Sequence, residues 1–264
     1  MELRDLRIWL SGASSGIGEA LAIGLGAEGA MLALSARSAA QLERVADLVR
    51  SRGGTASVVP LDVTGDNAVP AAAREIEAAL GGIDVLIYCA GQWTVTDVTD
   101  FDVAAIEAQI AVNYVGEVRA IGAVLPHMVE RGSGAIVGVA SVAGYNGLPQ
   151  AAGYGSTKAA VNVLLQSLRL ELPAYGISVT TVNPGFVDTP LTERNRFPMP
   201  FMMTPEQAAD RIVRGLLAGH EEIHFPRRLS IPLKLLGALP RPIYERVVRA
   251  FTGSGRPRRG TTPR

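Results

Sequence analysis

Through the first 180 or so residues, short apolar runs alternate with longer stretches whose apolar residues recur at helical spacing. That alternation limits the fold more than any other feature of the chain. A short run that is apolar throughout fits a strand buried on both faces, and strands separated by amphipathic helices must lie parallel, joined by crossovers.

"RIWLS" reads as the first strand, followed by a helix through Ala20 to Glu28, and "AMLALSA" as the second. "AAQLERVADLVRSRG" then sets Leu42, Val45, Ala46, Leu48 and Val49 at helical spacing and ends at Gly53. "ASVVPLDV" is the third strand, with a helix ending near Leu80. "IDVLIYCAG", "GAIVGVAS" and "ISVTTVNPG" are the next three, separated by helices from about Asp102 to Val129 and from about Ala151 to Leu172. "EIHF" makes a last strand. The expected fold is α/β, a Rossmann-type doubly wound parallel sheet with helices on both faces, which binds ligands at the carboxyl ends of its strands.

A chain of 264 residues, 48% hydrophobic and 19% charged, has enough apolar material to cover such a sheet as one domain. We expect that domain over residues 1–226, with a basic extension over 227–264. Within the domain, residues 186–204 carry Pro190, Pro198, Pro200 and three Met without periodicity and read as a substrate lid. Thr204, Pro205 and Glu206 then open a helix as N-cap, first residue and first-turn acid.

Formal net charge is zero, so overall charge gives no reason to expect nucleic acid as a partner. From Arg227 onward, however, ten Arg or Lys face one acid, Glu245. That amphipathic segment could lie on an anionic membrane surface, cover a neighbouring subunit or extend the substrate pocket. Pro232, Pro240 and Pro242 should break it into short pieces, and the last twelve or so residues should be disordered. A single cysteine, Cys89, excludes an internal disulfide, and no zinc set can be built from it and His127, His220 and His224. "MELRDLRIWL" is not a signal peptide and no apolar stretch reaches a membrane span, so the expected location is the cytoplasm.

"SGASSGIG", Ser11 to Gly18, lies between the first strand and a helix. Gly12, Gly16 and Gly18 let the backbone turn sharply, approach a pyrophosphate and pack the helix close, while the helix N-terminus offers unpaired N–H groups. Alone, the cluster is also compatible with a simple glycine turn. Its spacing resembles the TGxxxGxG motif of the short-chain dehydrogenase/reductase family, with Ser11 in place of Thr. At the end of the second strand, "SARS" offers Arg37 and no acid between Met31 and Ala40. An acid there would repel a ribose 2′-phosphate and Arg attracts it, so NADP(H) is expected over NAD(H), with Ser35 and Ser38 as helpers. The alternative is a solvent-facing Arg at a helix start.

The resemblance implies further cofactor contacts: Ser11, Gly12, Ser14, Ser15, Gly16, Ile17 and Gly18 around the phosphates, and Asp62 with Val63 at the adenine. It also implies Cys89, Ala90 and Gly91 where the family has Asn-Ala-Gly, and Pro184, Gly185, Val187 and Thr189 at the nicotinamide. Cys89 replaces the Asn, and reads as a buried small residue rather than a reactive thiol.

Tyr154 and Lys158 stand four residues apart, one turn on a helix. A phenol is too weakly acidic to be an efficient base at neutral pH, and a nearby ammonium favours the phenolate. Ser141, thirteen residues upstream at a strand end, can polarise a carbonyl oxygen. Asn113 sits inside the long helix, where Asn is unfavourable. YxxxK alone is also a polar helix face; the four residues together resemble the family's catalytic set. The resemblance implies reversible hydride transfer to a carbonyl or from a secondary alcohol. In it Ser141 binds the oxygen, Tyr154 moves the proton, Lys158 lowers the Tyr154 pKa and holds the ribose, and Asn113 carries a water for proton relay. It also implies a homodimer or homotetramer paired through the helices bearing Asn113 and Tyr154. Phe197, Met199, Phe201, Met202 and Met203, with Trp93 and Tyr145, suggest a hydrophobic small-molecule substrate. A cofactor-binding scaffold without turnover, or an epimerase or dehydratase on the same fold, are the competing readings.

Overall fold

The computed structural model describes residues 2–193 and 198–254. Its centre is a seven-stranded parallel sheet in the order β3-β2-β1-β4-β5-β6-β7. The strands are β1 (Arg7–Ser11), β2 (Met31–Ser35), β3 (Thr55–Val58), β4 (Val85–Tyr88), β5 (Gly134–Val139), β6 (Ile177–Pro184) and β7 (Glu222–Phe225). Alternate side chains feed two cores, as a strand's two-residue period requires. Ile8 and Leu10, Leu32 and Leu34, and Val85 and Ile87 enter one core; Trp9, Ala33, Leu86 and Tyr88 enter the other.

Helices α1 (Gly16–Ala27), α2 (Ala39–Arg50) and α7 (Pro205–Leu217) cover the first face, while α3 (Ala68–Leu80), α5 (Gly116–Arg131) and α6 (Ala152–Glu171) cover the second. The caps are legible. Asp102 accepts from Ala105 N at 3.0 Å to start α4 (Val103–Ile110), and α3 and α5 end on left-handed Gly81 and Gly132. At α7 the capping box forms in full: Thr204 accepts from Gln207 N and the Gln207 side chain from Thr204 N.

Three expectations are adjusted. β3 stops at Val58, because Pro60 has no N–H to continue a ladder. The long helix after β4 is interrupted between α4 and α5 by a π-helical turn at Ala111–Val115, containing Asn113. Beyond β7, α8 (Arg227–Gly237) continues through Pro232, and three residues ending in Pro240, the N-cap of the next helix, separate it from α9 (Arg241–Thr252). Pro232 is exposed and removes a single intrahelical bond, which the helix tolerates. Asn146 Nδ2 donates to Leu233 O at 3.2 Å and the Tyr244 hydroxyl to Gly147 O, seating both helices beside the loop after β5. Among the described residues no helix is long and apolar enough to cross a membrane. The tail beyond Ser254, and Phe197 of the lid, lie outside the described residues.

The strand order reverses between β1 and β4. Chain leaving one strand diverges from chain leaving the other, and a crevice opens at their carboxyl ends. The proposed site residues lie at the end of a strand or just after one on that edge, or on a helix packed against it.

Candidate active site

Directly after β1, Gly12 takes φ of 80° and Gly16 φ of 57°, conformations that favour glycine. The packing is as restrictive as the dihedrals. A Cβ on Gly12 would lie 2.5 Å from Ala90 N, and one on Gly18 only 2.0 Å from Gly12 O. The turn is held from β2, where Ser35 O accepts from Gly12 N at 2.7 Å, and Cys89 N donates to Ser11 O at 3.0 Å. Ser15, extended and exposed, precedes α1 without a side-chain cap, so the helix presents its positive end to the crevice. Ser14, Ile17 and Gly16 are partly exposed there. This is a cradle suited to a pyrophosphate, and it fits a dinucleotide cofactor.

Arg37 is exposed just beyond β2, as a residue reading a ribose phosphate should be. Its expected helpers are otherwise engaged. Ser35 is wholly buried and accepts the Trp9 indole N–H at 2.8 Å, and Ser38 caps α2 by accepting from Gln41 N. Asp62 is held below the usual carboxylate range by Thr64, whose N–H and hydroxyl both donate to it at 2.9 and 2.7 Å; Arg37 adds a smaller pull. Val63 is buried against Gly116.

Ser141, Tyr154, Lys158 and Asn113 meet beyond β4 and β5. Ser141 is buried, accepts from Ala143 N at 3.1 Å and donates to Pro184 O at 3.4 Å, so its hydroxyl is fixed between two strand ends. Trp93 meets the Tyr154 ring edge-on, with centroids 5.0 Å apart. Lys158 is buried; its ammonium donates to Val139 O at 2.7 Å and lies 5.8 Å from the Tyr154 ring centroid. Asn113 spends its whole side chain on neighbours: Oδ1 accepts from Gln92 N at 2.7 Å, and Nδ2 donates to Gln92 O at 2.9 Å and Thr157 Oγ1 at 3.0 Å. A Cβ on Gly91 would sit 3.8 Å from Asn113 Oδ1 and 3.9 Å from Lys158 Nζ, which fixes how closely the end of β4 approaches them.

Burial decides the protonation of these groups. It pushes the Tyr154 phenol up to about 12, with the Ser141 hydroxyl working the other way. Burial works against the charge of Lys158 as well, and the charge of Glu117 works the other way. Burial likewise pushes the Cys89 thiol up to about 11.

On the lid side, Gly185 N donates to Phe225 O at 2.7 Å, and Val187 pairs with Met203. Asp188 N donates to Met203 O at 2.9 Å and Met203 N to Phe186 O at 3.0 Å, closing the base of the lid. Thr189 packs its methyl over Gly16, so the lid begins on the glycine turn. Phe201 and Met202 are exposed, Met199 and Met203 partly so. Tyr145 does not join Trp93 in the cleft: its hydroxyl donates to Glu222 at 3.1 Å, toward β7 and α8. Sequence reasoning missed Gln92 and Thr157, the partners that fix Asn113. It also missed Glu117, four residues beyond Asn113 and wholly buried. The i, i+4 spacing was the only available signal.

The family model described as "short chain dehydrogenase" matches residues 7–198. An "Uncharacterized oxidoreductase" of Myxococcus xanthus is 36% identical over 240 residues, 91% of this chain and 95% of its own. Among solved structures, a short-chain type dehydrogenase/reductase from Mycobacterium marinum superposes with a TM-score of 0.77 at 29% identity, covering 85% of this chain and 95% of that one. A variant of actinorhodin polyketide ketoreductase, solved with NADPH, superposes at 0.78 and 26% identity, covering 87% and 98%.

Proposed function

Because the chain belongs to the short-chain dehydrogenase/reductase family of NAD(P)-dependent oxidoreductases, we propose that it moves a hydride reversibly between NADP(H) and the carbonyl or secondary alcohol of a hydrophobic small molecule. The observation that carries this reading is the meeting of Ser141, Tyr154, Lys158 and Asn113 at the carboxyl edge of the sheet, beside the glycine cradle. The nicotinamide supplies or accepts the hydride when bound.

The chain's own residues do the rest. The turn from Ser11 to Gly18, with Ala90 and Gly91, holds the phosphates and admits the backbone closely; Asp62 and Val63 flank the adenine; Pro184, Gly185, Val187 and Thr189 shape the nicotinamide end. Arg37 supports NADP(H), and the NADPH complex of the ketoreductase neighbour is consistent with it. Ser141 holds the substrate oxygen. Tyr154, protonated at neutral pH because burial holds its proton on, is poised as the acid that completes a carbonyl reduction. Asn113 fixes the π-helical turn behind them.

The exposed lid residues Phe201 and Met202, with half-buried Trp93 against the Tyr154 ring, support an apolar substrate. Exposed Val103, Ile110, Val118, Val163 and Leu170 on α4, α5 and α6 support a homodimer or homotetramer through those helices. The lone unpaired Cys89 suits a reducing cytoplasm. A panel of hydrophobic ketones and aldehydes, followed by absorbance with NADPH and with NADH, tests the reading. Turnover with preference for NADPH is expected; preference for NADH would overturn the cofactor assignment.

A further inference from the structure

Lys158 is buried, and burial works against its charge, yet an ammonium is what could steady a phenolate on Tyr154. Among the described residues its one hydrogen bond, to Val139 O, is to a neutral carbonyl. Glu117 lies across from it on the first turn of α5, with no surface exposed and, among the described residues, with no hydrogen-bond partner for either carboxyl oxygen. The fold makes room for this group. A Cβ on Gly138 would lie 2.2 Å from Glu117 Oε1, so β5 carries a glycine where any side chain would displace the carboxyl, one residue before the carbonyl that Lys158 grips.

We infer that Glu117 is a positioning residue of the reaction, its carboxylate being the counter-charge that keeps Lys158 an ammonium inside the protein. This rests on the reading of Tyr154 and Lys158 as the proton-transfer pair. The titratable groups facing Glu117 are Lys158 on α6 and Tyr88 and Cys89 at the end of β4. Tyr88 and Cys89 are both pushed up by burial and stay neutral, so Lys158 is the one cation of the set. Burial pushes Glu117 up to about 8 and Lys158 below its ordinary value, and the attraction between the two works the other way at each. Replacing the carboxylate by an amide leaves burial unopposed, and Lys158 then gives up its proton at lower pH.

The chain has two lysines, Lys158 and Lys234, so a Lys234→Arg background leaves a single lysine to observe. Lys234 pairs with Glu222 at 2.6 Å and lies 5.3 Å from the Tyr145 ring centroid. In that background, ¹³Cε-lysine protein free of cofactor is titrated by NMR as parent, Glu117→Gln and Glu117→Asp. Glu117→Gln should lower the Lys158 midpoint by about one pH unit or more, the scale of a close opposite charge, and Glu117→Asp should largely keep it. An unmoved midpoint in Glu117→Gln would overturn the inference. The parent supplies a second measurement whether or not the variants fold: Lys158 uncharged at pH 7 would overturn it too. In turnover, the kcat/KM profile of Glu117→Gln should shift to lower pH. If Tyr154→Phe is inactive and the lysine midpoint is unmoved, this inference alone fails; if Tyr154→Phe keeps its turnover, the reading beneath it fails.

Discussion

Asn113 Nδ2 donates to Thr157 Oγ1 across 3.0 Å, fastening the π-helical turn to the helix that carries Tyr154 and Lys158. The same side chain holds the Gln92 backbone just past β4, so one amide ties three segments of the site together. Asn113→Ala strands buried polar groups, each costing roughly 1–3 kcal/mol. Urea unfolding should show a loss of that order, with a fall in turnover. Thr157→Val removes the link to α6 and the hydroxyl's own bond to Tyr154 O, leaves the Gln92 contacts of Asn113 in place, and should cost less; equal stability of Asn113→Ala and the parent protein would contradict this role.

Arg37 stands exposed at the end of β2 with no acid beside it in sequence. A charge-assisted hydrogen bond is worth about 1.5–3 kcal/mol, so Arg37→Ala should raise the KM for NADPH roughly 10- to 100-fold. The KM for NADH should stay where it was. Equal losses with both cofactors would mean that Arg37 does not read a 2′-phosphate.

Gly18 has no space for a methyl group, since its Cβ would fall 2.0 Å from Gly12 O. Gly18→Ala should abolish cofactor binding in a fluorescence titration while far-UV circular dichroism still reports a helical protein. Wild-type affinity in that variant would remove the turn from the cofactor site.

Much of this arrangement was legible in the chain, and the exceptions have physical causes. Period and apolarity expose strands such as "VLIY", buried on both faces, and glycine spacing exposes the cradle. The π-helical turn was hidden because a single inserted residue hardly alters helical periodicity; only the misplaced Asn113 hinted at it. Ser35 looked like a phosphate helper until the alternation of β2 turned it inward onto Trp9. Glu117 reads as an ordinary surface acid of an amphipathic helix, and only the packing of Gly138 against it shows otherwise.

Arg7 and Asp84 give the fold a pH dependence of its own. The Arg7 guanidinium donates to both Asp84 oxygens, at 2.8 and 2.6 Å, and holds that carboxyl below its ordinary value. A depressed carboxylate contributes stability that is present above its unfolded-state pKa of about 3.9 and lost as pH falls through the folded-state value. Chemical unfolding measured across the acid range should therefore show Asp84→Asn less stable than the parent at pH 6, with the two converging below about pH 4. A constant gap down to pH 2 would contradict the assignment.

The central claim is that Tyr154 transfers the proton of a hydride-transfer reaction. Its most direct test is Tyr154→Phe, with NADPH binding measured by fluorescence and turnover by NADPH absorbance on a carbonyl the wild-type protein reduces. General acid catalysis contributes about 10²–10⁴ in rate, so the variant should bind NADPH as the wild type does and lose at least ~10²-fold in turnover. Binding and turnover both near wild type would contradict the account.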